Sequence, residues 1–159
     1  MQMSNRISGF QCSPIRRLVP LARSAKERGV HVIHLNIGQP DIKTPKEALD
    51  AIHNYSDDII AYGLSEGEVG LRKALLEYYK KMGVDDLTLN DIMITTGGSE
   101  ALQFTFLTLC DPYDEFIIPE PYYTNVATFA NVAMVRLCPV TSSSSNGFIL
   151  PSIDAFEDK

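Results

Sequence analysis

Cysteine is scarce in this chain of 159 residues, with only Cys12, Cys110 and Cys138, far apart and outside any CxxC spacing. That speaks against a disulfide framework and against a thiolate zinc site, and it fits a reducing compartment. No apolar run approaches the roughly 18 residues that a membrane-spanning helix needs. The first residues, which include Asn5, Arg6, Ser8 and Gln11, lack the apolar core of a secretion signal, so a cytoplasmic location is expected. Basic runs are missing too. With 14 basic against 20 acidic residues, the formal charge is -6, which argues against nucleic acid or an anionic membrane as the main partner. The three histidines form no pair suited to a metal: His31 and His34 lie three apart in a predicted strand and point to opposite faces, and His53 lies near a helix end. Asp57-Asp58 and Asp85-Asp86 read as solvated loop residues and helix caps, with no acid-base role.

What is present is the apolar fraction, 45%, of an ordinary globular domain with a sizeable core. Apolar residues from Ile15 to Ala25 recur at helical spacing before a stop at Gly29. Pro20 is tolerated only in a first turn, so the regular helix is expected to begin near Val19. A short strand is predicted over Val30 to Asn36, then a turn at Gly38-Gln39-Pro40-Asp41 and a helix from about Pro45 to Asn54. Ser65-x-x-Glu68 has capping-box spacing ahead of an amphipathic helix carrying Leu71, Leu75, Tyr78 and Met82 and ending at Gly83.

Beyond Asp91 the pattern becomes strand 92–95, helix 99–109, strand Glu115 to Ile118, helix about 122–131 and strand Met134 to Cys138. Such βαβαβ alternation predicts parallel strands in a three-layer α/β core, with ligands beyond the carboxyl ends of the strands. Ser142 to Ser145 with Asn146-Gly147 reads as a polar loop, and Pro151 to Lys159 as the opening of a helix. A sheet that starts with three strands and no return leaves an apolar edge open, so the chain is expected to be the front part of a longer protein.

Two segments point to chemistry. Ile92 to Leu102 reads as a strand that ends in Gly97-Gly98-Ser99 and opens directly into a helix. Free amides at a helix start carry roughly half a positive charge between them, and glycine lets an anion approach the main chain, so the turn is suited to phosphate. An ordinary capped strand-to-helix turn has the same composition. Glu100 would repel a bound anion, so its side chain is expected to point away, leaving its amide to contribute. Glu120-Pro121-Tyr122-Tyr123-Thr124-Asn125 follows a strand and precedes a helix, presenting an aromatic ring at the same edge; tyrosines packed on a neighbouring layer are the simpler alternative.

In order, Asn36-Ile37-Gly38-Gln39-Pro40-Asp41, Ala61-Tyr62, Gly67-x-x-x-Leu71-Arg72, Thr95-Thr96-Gly97-Gly98-Ser99-Glu100-Ala101-Leu102 and Pro121-Tyr122-Tyr123 closely resemble the class I/II aminotransferases, the fold-type-I pyridoxal-phosphate enzymes related to aspartate aminotransferase. The resemblance runs over nearly the whole chain. It implies an incomplete three-layer α/β/α core of the large cofactor domain, preceded by N-terminal helices. Residues 1–45 would belong to the small domain and 46–159 to the first part of the large one. It further implies that Gly98, Ser99 and Glu100 hold the phosphate of pyridoxal 5'-phosphate, that Tyr123 stacks on its ring, and that Gly38 lies beside the substrate carboxylate. Tyr62 would reach across a homodimer interface to the neighbour's cofactor, with core packing as the simpler alternative. Many aspartate-specific relatives carry tryptophan where Tyr123 stands, which leaves the amino acid substrate open.

The resemblance also defines what this stretch lacks. There is no Schiff-base lysine in a Ser-x-x-Lys setting, no aspartate partner for the pyridine nitrogen, no Asn-Pro-x-Gly segment and no C-terminal carboxylate-binding arginine. Lys26, Lys43, Lys46, Lys73, Lys80, Lys81 and Lys159 match none of these. No catalytic residue is therefore assigned, and the chain alone is expected to be inactive. The implied reaction of the complete protein is amino transfer between an amino acid and a 2-oxo acid. A β-elimination lyase or synthase of the same fold, or a ligand-binding module without turnover, are the alternatives.

Overall fold

The computed structural model describes residues 3–5, 7 and 13–159, which places Cys12 outside the described residues. Two compact units are present. One is Pro14–Met93, and the other is Ile94–Lys159 together with the described residues before Pro14.

The first unit is helical. Its elements are α1 (Pro14–Arg17), α2 (Val19–Glu27), α3 (Lys46–His53) and α4 (Val69–Lys81). Pro20 occupies the first turn of α2, where its missing N-H costs nothing, so the helix begins at Val19 as expected. Gly29, with φ +79°, ends it in the left-handed conformation, and the Val30 amide returns to the Ala25 carbonyl at 3.0 Å.

The strand expected over Val30 to Asn36 does not form. Alternating apolar residues make a strand only against a partner, and this segment runs unpaired with Leu35 93% exposed. The capping box expected at Ser65 is also not made: α4 starts behind Glu68, which gives no side-chain cap. Glu68 instead folds back towards Gly63, where a Cβ would lie 2.9 Å from its Oε1. A capping box forms where none was predicted, at the single-turn 3₁₀ helix Leu89–Asp91. There Thr88 donates through its amide (2.8 Å) and its hydroxyl (2.6 Å) to Asp91 Oδ2.

That turn is clamped from within by Arg72, the one buried charged residue among the described residues. Arg72 Nε donates to the Ile92 carbonyl at 3.0 Å, Nη2 donates to the Leu89 carbonyl, and Nη1 lies 3.5 Å from Glu66 Oε1. A guanidinium is suited to this because its fan of rigid N-H groups satisfies several acceptors at once.

The second unit contains α5 (Gly98–Leu109), β1 (Glu115–Glu120), α6 (Asn125–Val132), β2 (Arg136–Thr141) and α7 (Ile153–Glu157). β1 and β2 pair in parallel, from Glu115 opposite Arg136 to Glu120 opposite Thr141, with α6 as the crossover. The predicted strand at 92–95 is not part of this sheet and has no ladder partner, so βαβ rather than βαβαβ is observed.

β2 also starts two residues later than expected. Met134 takes a left-handed conformation, φ +58°, and the Val135 amide bonds back to Ala130 at 2.9 Å, so the helix exit uses up the residues predicted to open the strand. The core gathers Phe106, Ile118, Val126, Ala130, Ala133 and Val135, with Phe106 only 1% exposed and edge-on to Phe116 at 5.0 Å between ring centres. No helix among the described residues is long and apolar enough to cross a membrane.

Two outcomes follow from these contacts. Phe106→Ala should lower unfolding stability by about 3–5 kcal/mol, the usual loss for a buried phenylalanine, read as a shifted midpoint in urea; an unchanged midpoint would show that the core lies elsewhere. Donation first from the Thr88 hydroxyl and then from its amide holds the Asp91 carboxyl below its ordinary value, despite slight opposition from desolvation. A carboxyl lowered on folding contributes stability above its unfolded value, and the contribution disappears as pH falls through the lowered one. Asp91→Asn should therefore flatten the acid limb of the stability–pH curve, with identical limbs counting against the cap.

Candidate functional site

Gly97 makes the turn that opens α5. Its φ of +86° with ψ 171° lies where only glycine is comfortable, so this position demands the residue found there. The chain enters it tightly, with the Gly97 amide donating to the Thr95 carbonyl at 2.7 Å and Thr95 Oγ1 donating to the Gly97 carbonyl at 2.9 Å. That carbonyl also receives the amides of Glu100 and Ala101 at 3.2 and 3.3 Å.

The amides of Gly98 and Ser99 therefore stand without an acceptor among the described residues, at the positive end of a 12-residue helix. Thr96 through Ser99 are exposed, and a Cβ built on Gly97 or Gly98 would meet nothing within 4 Å. The result is an open cradle with two main-chain donors and the Ser99 hydroxyl, which suits an oxyanion.

Glu100 is half-buried, and its Oε2 accepts the Thr96 amide at 2.6 Å. Its charge is thus drawn back onto the turn that precedes the helix. Its amide is already bonded to Gly97, which leaves the donor role to Gly98 and Ser99.

At the carboxyl ends of β1 and β2 the two strands are stitched together. Ser142 donates to the Glu120 carbonyl through both its amide (2.8 Å) and its hydroxyl (2.7 Å), and Thr141 Oγ1 donates to Glu120 Oε2 at 3.1 Å. The turn leaving Glu120 divides its tyrosines between two roles. Tyr122 packs against the core, whereas Tyr123 is 59% exposed and presents its ring outward. Packing of both rings into a neighbouring layer is thereby excluded within this unit. Tyr123 is tied at both ends: its carbonyl accepts the Val126 amide at 2.9 Å, and its hydroxyl accepts Asn125 Nδ2 at 2.8 Å.

Gly38 and Tyr62 belong to the other unit. Gly38 is exposed with open space around its α-carbon, and the segment before it is pinned by Asn36 Nδ2 donating to the Ile15 carbonyl at 3.3 Å. Tyr62 is fully exposed, so its ring takes no part in the core of its unit.

Gly98, Ser99 and Glu100 are thus contiguous at one helix start, and Tyr123 lies in the same unit at the carboxyl end of β1. Reading of the sequence overlooked Asn125, Thr141 and Ser142. The first had a usable signal, an amide residue at a helix start beside an aromatic. Ser142 opens a serine-rich run that reads as an ordinary loop, and Thr141 lies just before it, beyond the predicted end of the strand.

The chain is similar over nearly all of its length to known proteins. The family described as aminotransferase class I and II matches residues 30–157. The aspartate aminotransferase of Pyrococcus horikoshii is 32% identical over 148 residues, covering 92% of this chain and 37% of that protein. The probable aspartate/prephenate aminotransferase of Rickettsia conorii is 32% identical over 98% of this chain and 39% of its own length. Among solved structures, aspartate aminotransferase from Thermotoga maritima superposes with a TM-score of 0.87 at 26% identity, over 98% of this chain and 42% of that one. Alanine aminotransferase from Pyrococcus furiosus gives 0.82 at 31%, over 99% and 41%. The chain therefore spans about two fifths of the length of the relatives it matches. It belongs to the class I and II aminotransferases, a pyridoxal-phosphate-dependent family of fold type I.

Proposed function

We propose that the complete protein is an aminotransferase that moves an amino group between an amino acid and a 2-oxo acid, and that these residues form its cofactor cradle. The observation that carries this reading is the pair of unbonded amides at Gly98 and Ser99, opening α5 behind a glycine in a conformation other residues avoid. A phosphate ester fits there: it is anionic, needs several donors and requires the absence of a Cβ. Each charge-assisted hydrogen bond to it contributes on the order of 1.5–3 kcal/mol. When bound, pyridoxal phosphate withdraws electrons from the substrate Cα through its pyridinium ring.

The part played by this chain is binding and orientation. Gly98 and Ser99 anchor the phosphate, with Glu100 closing the turn from behind. Tyr123 lays its exposed ring against the heterocycle, where offset stacking adds about 0.5–1.5 kcal/mol beyond burial. Gly38 lies beside the substrate carboxylate, where its lack of a side chain leaves room. The fully exposed Tyr62 reaches the cofactor of a second subunit, making the working enzyme a homodimer with composite sites. Proton transfer belongs to a lysine beyond these residues, because none of the lysines here has the Ser-x-x-Lys setting. Residues 1–45 are assigned to the small domain, 46–159 to the first part of the large one, and the cytoplasm is the proposed location.

The donor is proposed at class level only. Relatives carry names for aspartate, aspartate/prephenate and (5-formylfuran-3-yl)methyl phosphate.

Replacing Ser99 tests the cradle. In the full-length protein Ser99→Ala should weaken pyridoxal phosphate binding by about tenfold, the scale of one charge-assisted hydrogen bond, while Ser4→Ala leaves it unchanged. Titration of the cofactor-free protein, followed by absorbance, reads the difference; equal dissociation constants would remove Ser99 from the site.

A further inference from the structure

An exposed tyrosine side chain is free to rotate, whereas stacking on a flat heterocycle requires the ring held in one plane before the ligand arrives. In this structure something restrains it. Asn125, the first residue of α6, donates from Nδ2 to the Tyr123 hydroxyl at 2.8 Å, while the Val126 amide holds the Tyr123 carbonyl at 2.9 Å. The helix start thus grips the residue at its backbone and at the tip of its ring. The turn itself is anchored on its other side, where Ser142 clamps the Glu120 carbonyl twice.

We infer that Asn125 is a positioning residue for the cofactor, acting through Tyr123 by fixing the plane of its ring and the direction of its hydroxyl. This rests on the reading of Tyr123 as the stacking residue. The polarity of the bond adds a second consequence. Because Asn125 donates, the phenol oxygen is the acceptor and its own O-H remains available, so Tyr123 offers a bound ligand a directed donor beside its aromatic face. A phenylalanine there would keep the face and lose both the restraint and the donor.

A double-mutant cycle in the full-length enzyme separates this from a structural contribution. Asn125→Ala should weaken pyridoxal phosphate binding about fivefold, the scale of one neutral hydrogen bond, Tyr123→Phe should weaken it further, and each should alter the visible circular dichroism of the bound cofactor. The double variant should bind no worse than Tyr123→Phe, which already lacks both the restraint and the donor. Additive losses would overturn the inference, as would wild-type binding and dichroism in Asn125→Ala. Asn125→Ser serves if the alanine variant folds poorly: it keeps a residue favoured at a helix start but is too short to reach the phenol, and should behave as alanine does. Tyr123→Ala distinguishes the two levels of the argument. If it leaves cofactor affinity and dichroism unchanged, the stacking role itself fails. If it weakens binding while both Asn125 variants match the wild type, stacking stands and the restraint by Asn125 falls.

Discussion

Parallel pairing of β1 with β2 obliges the chain between them to travel back along the sheet, and α6 makes that return with Val126 and Ala130 turned into the core. Phe106 from α5 packs in the same core as α6 and the strands, so the burial that holds the crossover also seats the helix whose first turn carries the unbonded amides of Gly98 and Ser99. The carboxyl ends of the strands meet at Glu120 and Thr141 as a result, and the turn carrying Tyr123 leaves from there. The place of Tyr123 depends on the pairing direction, and the pairing direction on the crossover; only its restraint by Asn125 and Val126 is local.

Electrostatically, the start of α5 separates two tasks that compete in most helix openings. An acidic residue in the first turn stabilises a helix through its dipole but would oppose an anion arriving at the same amides. Glu100 turns its carboxylate back to the Thr96 amide, ahead of the glycines, and leaves the amides of Gly98 and Ser99 unoccupied. In the other unit Arg72 solves the opposite problem, a buried cation, by spending its donors on the carbonyls of Leu89 and Ile92 and on Glu66.

Helices were the legible part of the sequence because their signal is carried within one segment: the period of α4, the proline in the first turn of α2 and the glycine stop at Gly29 all need no partner to be understood. Strands need one. Val30 to Asn36 and 92–95 have strand-like composition but no neighbour to bond, so local pattern alone misjudged them. Capping showed the same limit. Ser65-x-x-Glu68 and Thr88-x-x-Asp91 have equivalent spacing, and only the second forms the box, next to the carbonyls that Arg72 binds. At the candidate site the glycine turn and the outward aromatic were readable from residue type. The bond from Asn125 to Tyr123 was not, because it depends on side-chain direction at the first residue of a helix.

Met134 sets the phase of β2. Its left-handed backbone ends α6, and its carbonyl takes the amide of Tyr113, itself at φ +78°, at 2.7 Å, so two unusual conformations lock one another across the crossover. A strand alternates faces at every residue. Losing one residue between Met134 and Arg136 would therefore turn Val140 outward, bring Thr141 to its place in the apolar layer, and pull Ser142 off the Glu120 carbonyl. Length at this bend should vary less among functional variants of the chain than side-chain identity does.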